Sequence, residues 1–415
     1  MRIYQRHLVA VFCVSLLAMI GAETAMAQTP LHMYGYFSTR FEKTYETYGP
    51  NGVIDEASPS DFAYPYFNLM GQYSINDQFR AFLNINGAKA STLDLRNFWG
   101  EYSASRNLNL RIGKIYRKFG LYNEILDAVP TYYGIEAPEL FDADHLMISR
   151  TTMAMVYGAA DLGPGVFSYS GSTDNGEGDP LNAPSKNSFP FCYDFAYSFD
   201  GGNYTVGTSG YSTFGDATPN VAINGGSPKS GVLNWMAKDK FTVFGVYGEA
   251  KVNNLTLQGE YWTSAHKAVR DTAKVKTVVT SAGISSIQRE RFLINPAAPG
   301  AVKGTNVRTN ASYVIQTWYL RAGYSFETGI GEIAPYLQWD WYKNPETIAN
   351  KTYGGDDEAG VADDGIFNKS TVGVIYRPTS EVAVKFDQSF HFYKFNGENV
   401  RYPEIRLDFS FTFGI

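Results

Sequence analysis

Residues 405–415 read Ile405-Arg406-Leu407-Asp408-Phe409-Ser410-Phe411-Thr412-Phe413-Gly414-Ile415, with an apolar side chain at every odd position. The even positions from Glu404 to Gly414 carry charged or hydroxyl side chains or glycine. Consecutive side chains on a strand point to opposite faces. This segment is therefore a strand with one wholly apolar face and one polar face.

The same alternation recurs along the chain. Phe79, Ala81, Leu83 and Ile85 alternate with Gln78, Arg80, Phe82 and Asn84, and Trp318, Leu320, Ala322 and Tyr324 alternate with Tyr319, Arg321 and Gly323. The pattern predicts strands near 31–42, 62–74, 77–87, 92–104, 108–116, 146–158, 165–171, 191–200, 203–213, 240–250, 255–264, 312–327, 332–342, 367–376, 381–393 and 402–415. Every second connection is short and rich in turn residues, such as Asn76-Asp77, Asp200-Gly201-Gly202-Asn203 and Arg377-Pro378-Thr379-Ser380. The others are mostly long: 43–61, 117–145, 172–190, 214–239, 265–311 and 343–366, with short ones near 88–91 and 394–401. Short turns on one rim and long loops on the other are the habit of transmembrane barrels. Lipid cannot hydrogen-bond a free strand edge, so the first strand, 31–42, should pair with the last, 402–415. The expected fold is all-β: a transmembrane antiparallel β-barrel of sixteen strands. Tyr34, Tyr36, Tyr64, Tyr66, Trp99, Tyr102, Trp318, Trp339 and Trp341 fall near strand ends and could form aromatic girdles.

Residues 1–27 look like a cleaved signal peptide. Arg2 and Arg6 precede the apolar run Leu8–Ile20, and Ala25-Met26-Ala27 matches a small-residue cleavage site. The barrel would then occupy 28–415. The apolar run is too short to serve as a membrane anchor. The net charge of −6 gives no argument for nucleic acid as a partner. Of the two cysteines, Cys13 lies in the leader, so Cys192 has no intrachain partner and no thiolate metal cluster is available. No metal or cofactor is expected, and Cys192 should be a small buried hydrophobe.

About sixteen strands enclose a water-filled lumen, whereas eight are filled by side chains. The third outside loop, 117–145, mixes apolar residues (Ile125, Leu126, Val129, Ile135, Leu140, Phe141) with Glu124, Asp127, Glu136, Glu139, Asp142 and Asp144. Such a loop packs on itself or a neighbouring subunit, or folds into the barrel with one side on the wall and one in water; the inward fold is adopted here, as a constriction. Arg80, Arg96, Arg111, Arg321, Lys385 and Arg406 have inward parity and could oppose its acids, setting up a transverse field. Residues 265–311 hold Lys267, Arg270, Lys274, Lys276, Arg289, Arg291, Lys303 and Arg308 against Asp271 and Glu290, a charge suited to anionic lipopolysaccharide. Asp356, Asp357, Glu358, Asp363 and Asp364 lack calcium-loop spacing and fit a solvated loop better than a cation site.

The layout resembles the sixteen-stranded outer-membrane porins of Gram-negative bacteria. The resemblance implies a channel for small hydrophilic solutes or ions, an outer-membrane lipid surround and a homotrimer. Arg111-Ile112-Gly113-Lys114-Ile115-Tyr116-Arg117-Lys118-Phe119-Gly120-Leu121 also looks like the fifth-strand segment of the phosphate-selective porin O/P type, but the acidic third loop departs from an anion-selective lining. Ile415 stands where porins usually end in Phe. Two other classes compete: an outer-membrane enzyme, and a structural or adhesive barrel, such as a sheath for a cytochrome. The leaderless chain has only His32, His145, His266 and His391, with no recognisable nucleophile motif and no C-x-x-C-H haem motif, so an enzyme is not expected.

Overall fold

The computed structural model describes residues 31–44, 47–49, 52–55, 61–62, 65–89, 92–126, 128–131, 133–139, 146, 150–176, 189–218, 231–279, 285–292, 307–348 and 359–414. The leader, Asp127, Asp142, Asp144, His145, Lys303, Asp356, Asp357, Glu358 and Ile415 lie outside these residues.

Sixteen antiparallel staves form one closed sheet. They are β1 (Leu31–Thr44), β2 (Tyr66–Ser74), β3 (Phe79–Lys89), β4 (Thr92–Ser105), β5 (Leu108–Tyr116), β6 (Arg150–Leu162), β7 (Gly165–Asp174) and β8 (Phe191–Phe199). The second half comprises β9 (Tyr204–Ser212), β10 (Met236–Val252), β11 (Leu255–Arg270), β12 (Asn310–Tyr324), β13 (Gly331–Lys343), β14 (Ile366–Thr379), β15 (Val382–Phe395) and β16 (Glu398–Gly414). Asp61–Phe62 pairs with β1 ahead of β2, and Phe326–Thr328 continues β12 along β13. Closure is made by β1 on β16, in a register running from Tyr34 opposite Gly414 to Thr44 opposite Glu404.

The two faces sort as the last strand implies. On β16, Asp408 and Ser410 are fully buried and face inward, while Phe411 is 47% exposed on the outside. Leu320 (61%), Leu337 (58%) and Val372 (53%) are exposed on the same outer surface. An apolar exterior of this extent is costly in water and stable in lipid. A surface hollow of about 1080 Å³ lies on this outer wall between residues such as Val206, Leu257, Trp318 and Trp339, so it is not the lumen. The tryptophans Trp318, Trp339 and Trp341 cluster outward with ring centroids 5.9 and 6.5 Å apart. Tyr36 and Trp99, expected in the girdles, instead face inward: Tyr36 is 2% exposed, and the Trp99 ring carries Arg111 4.1 Å above its centroid.

Several boundaries differ from the sequence reading. β10 begins at Met236 and β11 runs to Arg270, so Lys267 and Arg270 belong to a strand and not to a loop. β6 covers Arg150–Leu162, four residues later than expected from 146–158. The connection expected over 394–401 shrinks to Asn396-Gly397. Both residues have positive φ (50° and 82°), the two-residue turn whose twist matches a hairpin. Asp363 accepts hydrogen bonds from the Asn396 and Gly397 amides at 3.0 and 2.7 Å and from Ser285 Oγ at 2.6 Å. This acid therefore braces a turn, and no cluster of metal-ligating residues occurs among the described residues.

The outer ends of β9–β16 enclose a packed core. Phe241, Trp262, Tyr313, Tyr342 and Phe367 point inward and bury against Trp235, Val275, Val278 and Phe292 of the loops. The basic segment 265–311 contributes two helices to it, α1 (Thr272–Val279) and α2 (Ser286–Phe292). Arg270 holds Glu346 at 2.5 Å, and Arg291 donates to Pro345 O at 2.6 Å. Two of its charges thus tie loops together rather than form a free basic surface.

Candidate functional site

The third loop leaves β5 through a buried ion pair. Arg117 Nε lies 2.9 Å from Asp174 Oδ2, both side chains have no exposure, and the guanidinium sits 4.4 Å over the Tyr211 ring. Phe119 then stacks on Trp262 at 4.0 Å, an arrangement adding about 0.5–1.5 kcal/mol to the area it buries. Gly120 N donates to Ser209 Oγ at 3.0 Å, Leu121 N to Glu260 Oε1 at 3.1 Å, and Tyr122 OH to Gln258 Oε1 at 2.9 Å. These acceptors are inward side chains of β9 and β11. Gly120 has φ +66°, a conformation that favours glycine, and a Cβ there would crowd the Glu260 carboxylate, so glycine suits the close approach of loop to wall.

Farther along, the loop meets the opposite end of the same arc of wall. Lys385 Nζ donates to Gly134 O at 3.0 Å, and Ile135 N to Asp387 Oδ2 at 3.2 Å. Glu136 meets Arg406 at 2.6 Å, Arg40 at 3.1 Å and Lys369 at 3.5 Å. Glu139 pairs with Lys369 through its carboxylate, and its amide donates to Asp340 Oδ1 at 3.2 Å. Burial raises the Glu136 carboxyl pKa, but the pull of Arg406, Lys369 and Arg40 outweighs it and holds the group below the usual carboxylate range. The described loop thus follows the inner wall from β9 and β11 to β13–β16 and β1.

Of the acids expected in the loop, Glu136 and Glu139 come together on the wall, and Glu124 stands apart in a short turn, Asn123–Ile125. Asp127, Asp142 and Asp144 lie outside the described residues. All six expected bases stand on the inner wall, in different settings. Arg406 contacts Glu136 and Glu404. Lys385 donates to the loop backbone at Gly134 O. Arg321 pairs with Gln338 and lies 5.0 Å over the Tyr122 ring. Arg96 donates to Asn86 Oδ1 at 3.2 Å. Arg80 and Arg111 both hold Glu101, the second at 2.7 Å. Among the described residues, Arg406 is the one expected base that meets an expected loop acid in contact, through Glu136. Arg40 and Lys369 were not expected; each has the inward parity of its strand, beside Ser38 and Thr371.

Where the third loop passes β2–β5, these strands line a cavity of about 170 Å³ with Met70, Phe82, Trp99 and Arg111, closed by Glu124 and Ala128 of the loop. Displacement of water around Glu124 raises its carboxyl pKa, against the pull of Lys118 and Arg111.

A second cluster has the arrangement of nucleophile, base and orienting acid. Ser264 Oγ is 2.7 Å from His266 Nε2, and His266 Nδ1 is 2.7 Å from Asp239 Oδ2. The sequence hides it because Asp239 reaches the pair from the neighbouring strand. The imidazole is sandwiched between Phe241 (4.7 Å) and Tyr313 (4.4 Å), and Ser264 and Asp239 have no exposure. The nearby strand residues are paired in the sheet, so among them no backbone donor is set to receive an oxyanion. His391 likewise faces Glu404 at 3.3 Å under a stacked Tyr402.

No protein-family model matches the chain, and no curated protein matches it in sequence. Solved structures do match in fold. An anion-selective porin from Comamonas acidovorans superposes with a TM-score of 0.56 at 12% identity, covering 92% of this chain and 100% of that one. Salmonella typhi OmpF, in complex with daunomycin, gives 0.53 at 14% identity, covering 93% and 98%. OmpT, an outer-membrane protein of Vibrio cholerae in a trimer form, gives 0.52 at 10% identity, covering 93% and 100%. The chain has the general layout of the sixteen-stranded outer-membrane porins.

Proposed function

We propose that this protein is an outer-membrane porin of a Gram-negative bacterium, exported by a cleaved leader at 1–27, and that it lets small hydrophilic solutes or ions diffuse through its lumen. The observation that carries the proposal is the third loop, tied inside a closed barrel by Glu136 to Arg406, Arg40 and Lys369. A loop held on the wall narrows the lumen without needing to move, and it leaves the path along β2–β5. The polar inner face and apolar outer face support the same reading. The fold shared with a trimeric relative supports a homotrimer. Lipid, including lipopolysaccharide at the outer rim, is the expected surround. Purified, folded protein in a planar bilayer should give stepwise currents; a folded protein that never conducts would sink the proposal. Chemical cross-linking in mild detergent should give a ladder ending at three subunits.

The Ser264–His266–Asp239 cluster favours a second reading, a membrane esterase. Its lack of exposure weighs against it, since a substrate carbonyl must reach Ser264 Oγ. Hydrolysis of a nitrophenyl ester that disappears in Ser264→Ala would establish the enzyme; no hydrolysis by the folded wild type leaves the cluster a structural network.

A further inference from the structure

The connections 214–239, 265–311 and 343–366 meet over the lumen at the outer ends of β9–β15. The helices α1 and α2 carry Val275, Val278 and Phe292, none of which has any exposure, into one core with the inward side chains Phe241, Tyr313 and Phe367. α1 is tied back to the first connection: Asp271 N donates to Trp235 O at 2.9 Å and Lys274 Nζ to Asn234 O at 3.1 Å. α2 is tied to the third by Gln288, whose buried amide donates to Gly360 O and, at 2.9 Å, to Ala362 O. Its carbonyl end accepts from Ser285 N at 3.3 Å. Each loop thus supplies what another buries, and none lifts without opening the core. Among the described residues, β5 and β6 carry only a small inward cluster, Ile115 with Met153 and Met155.

We propose that these loops form a fixed cap over one side of the outer mouth, and that the cap sets the size limit for hydrophilic solutes entering from outside. The third loop narrows the middle of the path; the cap narrows its mouth, by shape and not by charge. Its sealing surface is apolar and close-packed, so a hydrated solute cannot cross it without breaking the packing. Entry from outside is confined to the side of β1–β6. The periplasmic end, bordered by short turns, stays open across its width. The lumen therefore admits larger solutes from its periplasmic end than from outside. The solute limit rests on the channel reading; the packing of the cap does not.

Neutral polyethylene glycols of graded mass, added to one side of a planar bilayer, lower the conductance when they enter the lumen. With the full-length protein, the largest polymer that does so should be bigger on the turn side than on the loop side. The loop side is identified by streptavidin binding to biotinylated Asp364→Cys, an exposed position in a chain whose own Cys192 is buried. Val278→Asp places a charge in the core, and Gln288→Ala removes the clasp without adding one. Either should raise the loop-side limit to the turn-side value and the step size by up to about twofold, since the cap spans about half the staves. Glu136→Gln should change the step size and keep the difference between sides. Equal limits on the two sides of the wild type, or a difference that survives in both cap variants, overturns the size limit. Limited trypsin digestion separates the cap from the channel. The folded wild type should resist cleavage at Lys274, Lys276, Arg289 and Arg291, and Val278→Asp should be cut there. A protein that never conducts but shows this protection sinks the channel and keeps the cap; a conducting wild type cut at these sites does the reverse.

Discussion

Glu136 receives cations from three strands, Arg40 of β1, Lys369 of β14 and Arg406 of β16. Three attractions from different directions fix the loop in place, where one surface pair would fix little. Glu136→Gln removes the charge and keeps the shape. With the group partly exposed, it should cost on the order of 1–2 kcal/mol of stability, read as a lower thermal unfolding midpoint. Its depressed pKa also sets a pH window. A carboxyl that is more acidic folded than unfolded contributes stability above the usual carboxylate range and loses it as pH falls through the depressed value. The step size of the channel should therefore hold through mildly acidic pH and change only in stronger acid. Glu124 has the opposite shift and should lose its charge before Glu136 as pH falls. Glu124 and Glu136 were both legible from sequence as acids in a half-apolar loop. Their different settings were not, because the partners Arg40 and Lys369 lie far away in the chain.

Among the elements, regular alternation marked the strands, and closure of β1 on β16 followed from the cost of a free edge in lipid. Alternation failed where loops fold over the barrel. On β14 the inward positions include Phe367 and Ile375, and the outward ones include Asn368 and Ser370, so Lys369 did not stand out as lumen-facing. The inner face is apolar there because Phe367 packs in the core with Val275 and Phe292 of the helices, and Ile375 lies in the cluster under Tyr133 of the third loop. The extent of the strands was underestimated for the same reason at β10 and β11. Turn residues were clearer: Asn396-Gly397 takes the positive φ angles of a two-residue hairpin, and Asp363 braces it. Asp363→Ala leaves two amides without this acceptor and should lower the unfolding midpoint, without changing conductance. Gly120→Val should act the other way. A branched side chain is strained at φ +66° and crowds the Glu260 carboxylate, so the hold of the loop on β9 and β11 should weaken and the conductance should change in a barrel that still folds. Retained slow migration of the unheated protein on a detergent gel would check that the barrel is intact.

The molecule as a whole is a closed sheet with a broad apolar outer face and an inner face that holds its buried charges beside a packed apolar core, an arrangement suited to lipid outside. Sequence was sufficient for that architecture because most strands repeat the same two-residue rule. It was insufficient for the lumen, because the same inner face serves as pore wall along β2–β5 and as packing surface under the loops along β9–β16. The central claim is that the third loop, held by Glu136, narrows a water-filled path. Single-channel recording of the wild type beside Glu136→Gln tests it most directly. The wild type should open in uniform steps, and the variant should open in larger or less uniform ones. Indistinguishable steps from the two folded proteins, or no steps from the wild type, would contradict it.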